Sequence, residues 1–360
     1  MQILVLILAP LGDTLFTTPA LKALRNGYPG ARIDVMTYYS TQEILTANSN
    51  IDNLIIINGK NQIIPGLKKI RNTGYDLAVG LSNLGSYLNY FVKAHKKIGF
   101  KSDELGRFYD FDLPDDRDIH AVDYCLEMVK TVGAIPDNFP RMEIFINGDD
   151  HTAVLNKLIA SRVNLNLPLI LIHPGGKYFT LKRWPAKKFL ELIKKIDQKY
   201  QSQQILIGGE NDRELARQVI DCNYHYKQTP VIFTGELNIK ETAALLDRAG
   251  LFIGNDSAPQ HLAAARQVPV IALFGPSKVA NYYPYGTTYK IVQAKLGCCP
   301  CFSWLGNLKQ YLPEYLPSWA SSCEKNCMNS ITVADVFQEI ESFLTLSGEK
   351  KKEITAIGVE

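Results

Sequence analysis

At 360 residues, 46% of them hydrophobic and 21% charged, the chain suits two medium-sized domains with ordinary cores. A net charge of +3 makes no electrostatic case for nucleic acid. No run approaches the roughly 20 apolar residues that cross a bilayer, and the apolar start Ile3–Leu8 lacks the flanks of a signal peptide, so a cytoplasmic protein is expected.

Ile3–Leu8 is a short continuous apolar run, the pattern of a strand covered on both faces. A loop, Ala9–Asp13, follows, and Thr18 is expected to cap a helix with Pro19 at its first position. Gly27–Gly30 ends that helix and Arg32–Thr37 begins the next strand, a strand–helix–strand unit that opens a Rossmann-like domain. Ile51–Ile57, Leu77–Gly80 and Lys97–Gly99 read as further strands. The basic stretch Lys93, Lys96, Lys97 and Lys101 reads as solvated helix charge, with acceptor phosphates or an anionic membrane surface as the functional alternatives. Asp110-Phe111-Asp112 lies among Asp115, Asp116 and Asp118 and reads as a solvated acidic loop rather than a metal-binding Asp-x-Asp element.

Near 161–168 the pattern restarts. Leu169–His173 is a strand into the turn His173-Pro174-Gly175-Gly176, Ala186–Tyr200 is an amphipathic helix, and Gln204–Gly208 runs into Gly208-Gly209-Glu210. Val231–Phe233 precedes Thr234-Gly235, and Lys240–Ala249 is a helix. Strands alternating with helices imply a parallel sheet in each half: α/β, two Rossmann-like doubly wound domains over 1–165 and 166–330. A final helix is expected over Ile331–Leu346, then a loose charged tail.

Residues 251–276 carry the strongest signal. The strand Leu251–Ile253 enters Gly254-Asn255-Asp256-Ser257, and a helix opens at Ser257–Pro259 with His261 in its first turn. Free N–H groups, a hydroxyl and an imidazole at a helix start suit a phosphate, and so a nucleotide or nucleotide-sugar. Asp13, Gly175, Glu210, Thr234 and Asp256 all follow predicted strands, where ligands of such sheets sit, which suggests one cleft between two facing domains.

Of seven cysteines, Cys125 and Cys222 read as isolated buried thiols. Cys298-x-x-Cys301 and Cys323-x-x-x-Cys327 have spacing for a structural zinc or iron site, against unbound thiols or a disulfide, and Cys299 is one thiol too many for four ligands.

These residues resemble glycosyltransferase family 9, the bacterial heptosyltransferase family, across nearly the whole chain. The resemblance rests on Leu11-Gly12-Asp13 with Thr18-Pro19-Ala20, His173-Pro174-Gly175, Lys182-Arg183-Trp184-Pro185, Gly208-Gly209-Glu210 and Asp256-Ser257-Ala258-Pro259-Gln260-His261. It implies the two-domain GT-B fold, with the amino-terminal domain taking the acceptor and the carboxy-terminal domain the nucleotide-sugar. It further implies Asp13 as general base, Lys182 on the donor diphosphate, Glu210 on the ribose and a backbone group near Leu237 at the adenine. Asp256, Ser257, Ala258 and His261 would meet phosphate and sugar, beside Gly175 and Gly176. Ala258 departs from the glycine common in the heptose enzymes. Some relatives carry a cysteine cluster after the same Phe-Gly-Pro strand, and some protein-modifying ones hold iron there.

Each assignment has a plainer alternative. Asp13 suits a turn or N-cap, Lys182 a solvated surface beside Lys187 and Lys188, His261 a satisfied helix histidine, and Glu210 a helix cap. The expectation is an inverting, metal-independent glycosyltransferase that moves heptose from ADP-heptose to a lipopolysaccharide-core or related glycan, with peripheral contact at the inner membrane face and no nucleic-acid partner. The alternatives are another nucleotide-sugar donor, a protein acceptor, or a non-catalytic binding protein. A nicotinamide dehydrogenase is disfavoured, because no Gly-x-Gly-x-x-Gly follows the first strand.

Overall fold

A computed structural model describes residues 1–70, 73–100, 118–176, 180–301 and 326–343. The first half runs β1 (Gln2–Ile7), α1 (Leu11–Gly27), β2 (Arg32–Tyr38), α2 (Gln42–Leu45), β3 (Asn53–Ile57), α3 (Ile63–Ile70), β4 (Tyr75–Gly80), α4 (Asn83–Asn89) and β5 (Ala94–Gly99). Helices α5 (Ala121–Lys130) and α6 (Gly148–Ala160) lead to the second half. It runs β6 (Leu169–His173), α7 (Ala186–Lys199), β7 (Gln203–Leu206), α8 (Arg213–Gln218), β8 (Val231–Ile232) and α9 (Ile239–Leu246). Then come β9 (Ala249–Asn255), α10 (Ala258–Ala265), β10 (Val270–Phe274), α11 (Val279–Tyr282) and β11 (Tyr289–Gln293). A helix over 333–343 follows.

The strand orders are β3-β2-β1-β4-β5 and β11-β10-β9-β6-β7-β8, and every pairing is parallel. Counted from its own first strand, each half follows the Rossmann order, the second half with a sixth strand. The order reverses beside β1 and β4 in one sheet and beside β6 and β9 in the other. Ligands of such sheets sit outside the carboxyl ends of those strands.

Alternation along each strand explains why the sequence reads as continuous apolar runs. Ile3, Val5 and Ile7 face one core, with Leu15, Leu21 and Leu24 of α1 and Val122 and Leu126 of α5. Leu4, Leu6 and Leu8 face another, with Leu88 of α4 and Ile70 of α3. The first core continues into Leu169, Leu171, Phe252 and Val270 of the second sheet and Leu262, Ala263 and Ala264 of α10, so the halves share apolar packing. Ile170, Ile172, Leu251 and Ile253 face the other way, onto Phe189 and Leu192 of α7 and Val336 and Ile340 of the last helix.

The first helix departs from its sequence reading. Thr18 does not cap it: the helix starts at Leu11 behind Pro10, and Pro19 lies inside it. An internal proline leaves the carbonyl four residues back without its N–H partner. Here the Thr18 hydroxyl donates to that carbonyl, on Leu15, at 2.8 Å, so the helix continues. Asp13 therefore stands in the first turn of α1 and not in a loop. Cys125 is buried as expected, but Cys222 is exposed, in the turn after α8.

Candidate active site

The glycine turn after β6 is held by side chains from two other strand ends. Asn255, wholly buried at the end of β9, donates to the carbonyls of Pro174 and Gly175 at 2.9 and 3.0 Å and accepts from the Trp184 N–H at 3.0 Å. Asp212, after β7, accepts from the N–H groups of Gly209 and Gly176 at 3.2 and 3.4 Å and faces the His173 ring. Gly175 is required by this approach, since a Cβ there would stand 2.2 Å from the Asp212 carboxyl carbon. Burial opposes the charged form of Asp212, but contacts with His173 and the glycine N–H groups hold its carboxyl below the ordinary range. The Trp184 indole is buried and donates to the Ile331 carbonyl, which fixes the loop that carries Lys182.

At the start of α10, Lys182 Nζ lies 2.7 Å from Asp256 Oδ2 and 5.7 Å from the centre of the Tyr282 ring. Burial opposes ionisation of Asp256, but the Lys182 charge and hydrogen bond, with His261 and the Ser277 hydrogen bond, together hold the carboxyl low. Gln260 Nε2 bonds the other Asp256 oxygen at 3.2 Å. Ser257 holds the N-cap position of α10, yet its hydroxyl makes no cap bond and turns to His173 Nδ1 at 3.1 Å. The first N–H groups of α10 are thus left uncapped by that hydroxyl. His261 is buried against the edge of Phe16, with ring centres 4.6 Å apart. Burial pushes its imidazole down to about 4, although Asp256 works the other way, so the ring is neutral at physiological pH.

Asp13 faces this cluster from the first half. Helices α1 and α10 meet start to start: a Cβ on Gly12 would lie 3.3 Å from the His261 ring and 3.8 Å from the Ala258 methyl. That methyl therefore lies toward α1. Asp13 is half-buried, and its pKa is pushed up to about 7. Burial is the main cause; Lys182 works against it and Asp256 adds to it. A carboxylate that titrates near neutrality is matched to the work of a general base.

Asp13, Lys182, Asp256, Ser257, Ala258 and His261 are thus brought together, with Gly175 and Gly176 behind them. Glu210 is not drawn in: its side chain is 70% exposed and pairs with Arg213 at 2.8 Å, beside the Gly235 turn. Leu237 is partly buried against the shared core, and Thr234 is buried. Lys188 is tied to the carbonyls of Asn329 and Ile331. Sequence reasoning missed Asn255, Asp212 and Gln260, which hold the cluster; only the adjacency of Asn255 and Gln260 to Asp256 pointed to them.

The four-thiolate set is not assembled among the described residues. Cys298 and Cys301 are exposed, Cys327 is buried beside Cys299, and Cys323 lies outside the described residues. Among the described residues no three candidate metal ligands converge. Cys327 meets Cys299, the thiol left over in the spacing argument. The Asp110-Phe111-Asp112 element and Lys101 also lie outside the described residues.

The profile of glycosyltransferase family 9 (heptosyltransferase) matches residues 66–312. The chain belongs to glycosyltransferase family 9. This glycosyltransferase is 29% identical over 315 residues to lipopolysaccharide heptosyltransferase 3 of Escherichia coli K12, covering 83% of this chain and 86% of that protein. The family 9 glycosyltransferase of Veillonella parvula superposes with a TM-score of 0.76 at 23% identity, over 96% of this chain and 97% of that one. The Escherichia coli ADP-heptose lipopolysaccharide heptosyltransferase II superposes at 0.73 with 19% identity, over 97% and 100%. The fold is GT-B, as the motifs implied.

Proposed function

We propose that this glycosyltransferase moves heptose from ADP-heptose onto a lipopolysaccharide-core or related surface-glycan acceptor, with inversion at the sugar carbon and without a catalytic metal. The observation that carries this reading is the charged start of α10, Lys182 with Asp256 and Ser257, facing the half-buried Asp13 on α1. Residues 166–330 would hold the nucleotide-sugar, with Glu210 on the ribose and the backbone near Leu237 at the adenine; residues 1–165 would hold the acceptor. Asp13 takes the proton of the acceptor hydroxyl as its oxygen attacks the sugar carbon, and the bond from that carbon to the diphosphate oxygen breaks. Lys182, the Ser257 hydroxyl and the N-terminus of α10 stabilise the charge gathering on the departing ADP. Closure of the two halves completes the site.

The protein would work at the inner face of the cytoplasmic membrane. Among the described residues no helix is long and apolar enough to cross it. Tyr87, Tyr90 and Phe91 are exposed together at the end of α4, next to the exposed Lys93 and Lys96, a combination suited to an anionic headgroup layer.

Calorimetric titration with ADP and with UDP tests the donor assignment. The expected result is selective ADP binding, lost in Asp256→Ala and weakened in Lys182→Ala. A preference for UDP would remove heptose as the transferred sugar, and binding of neither would remove the nucleotide site.

A further inference from the structure

Three side chains from three separate turns line up behind the start of α10. Ser257 Oγ lies 3.1 Å from His173 Nδ1, and His173 Nε2 lies 3.4 Å from Asp212 Oδ2. The Ser257 hydroxyl is also 3.1 Å from its other acceptor, the Asn255 carbonyl. His173 and Asp212 are buried, and the His173 hydrogen bond and the N–H groups of Gly176 and Gly209 lower the Asp212 carboxyl. An ionised Asp212 keeps a proton on His173 Nε2.

Two proton arrangements fit these distances. In one, Nδ1 is bare and takes the Ser257 hydrogen, so the hydroxyl turns only lone pairs toward an arriving phosphate. In the other, Nδ1 also carries a proton and donates to Oγ, which frees the Ser257 hydrogen for a phosphate oxygen. Only the second arrangement offers the anion the Ser257 hydrogen while His173 Nδ1 keeps a partner.

We propose that binding of a nucleoside diphosphate selects the second arrangement, so that His173 takes up a proton from solvent as the diphosphate docks and returns it when ADP leaves. His173 is then a positioning residue: it acts on the donor through Ser257, and Asp212 anchors it. The proposal rests on the reading of Ser257 as a diphosphate ligand. Among the described residues the charged groups of this arrangement are Asp212, which faces the ring, Arg183, whose Nη2 is 3.9 Å from Asp212 Oδ1, and the Lys182–Asp256 pair, whose Asp256 adjoins Ser257. Gly208 lies beside the ring, and Gly254 lies beside the His173 carbonyl. A bound diphosphate adds negative charge to this set, which favours the protonated ring.

The test is calorimetric titration with ADP at neutral pH in two buffers of different ionisation enthalpy. The wild-type protein is compared with His173→Asn and Ser257→Ala, so that the nucleotide's own phosphate proton cancels. Wild type should take up a larger fraction of a proton per ADP than either variant, and Ser257→Ala should bind ADP roughly tenfold more weakly. Equal proton counts in all three proteins, with ADP affinity still dependent on Ser257, would overturn the linkage and leave the nucleotide site standing. ADP affinity unchanged in Ser257→Ala, or no ADP binding at all, would overturn the reading beneath it.

Discussion

After β1 the chain enters α1 within a few residues and offers one ionisable group, Asp13. Two hydroxyls at the neighbouring end of β4 are taken up by backbone. The Ser82 hydroxyl accepts from Leu8 and Gly85, and the Ser86 hydroxyl donates to Gly80 and accepts from Phe100. After β6 and β9, the corresponding strand ends of the second sheet, the backbone is tied instead by Asn255 and Asp212, and Lys182, Asp256 and Ser257 remain at the helix start. Two crevices of the same topology are thus equipped differently, which matches the proposed division between a proton acceptor on one side and a diphosphate on the other. Topology supplies the place; a few side chains supply the chemistry.

A large effect on turnover is expected from emptying the second crevice of its cation. Lys182→Ala should lower kcat/KM by about 10²–10³, as loss of a charge-stabilising donor does, and steady-state kinetics with ADP-heptose would check it. Removing the turn should cost stability instead. Gly175→Ala places a methyl on the Asp212 carboxyl and should destabilise the protein by about 3 kcal/mol in denaturant unfolding, with ADP binding lost alongside.

The first crevice should respond to pH. A raised pKa means that the folded protein holds the Asp13 proton more tightly than the unfolded chain does. Its favourable contribution is therefore full below the unfolded value of 3.8 and lost as pH rises through about 7. Asp13→Asn should then be more stable than wild type by about 1–3 kcal/mol above neutrality, with the difference vanishing in acid; thermal unfolding across pH would show it. Wild-type kcat/KM should climb to a plateau as pH passes about 7. The smallest effects belong to the surface. Lys93→Glu with Lys96→Glu should weaken binding to anionic vesicles by about 1 kcal/mol per lysine changed and leave neutral vesicles unaffected.

The apolar runs and glycine turns made the two Rossmann sheets legible in sequence, and the Asp256–His261 stretch marked the proposed anion site, because each is a local signal. Asn255 and Asp212 were not legible as parts of the site, since their partners lie 81 and 36 residues away and only the folded sheet brings them together. The start of α1 was misplaced for a local reason: a proline usually marks a helix start, and here a threonine hydroxyl fills the bond that the proline leaves open. Glu210 follows its strand as the sequence reading has it, and its exposed side chain pairs with Arg213.

The most direct test of this division of labour is the Asp13→Asn protein, assayed for ADP affinity by calorimetry and for heptosyl transfer by single-turnover kinetics. ADP affinity within about twofold of wild type, with transfer slowed by about 10²–10⁴, is the expected result for a base on α1 separate from the anion site on α10. Transfer at the wild-type rate, or loss of ADP binding together with activity, would contradict it.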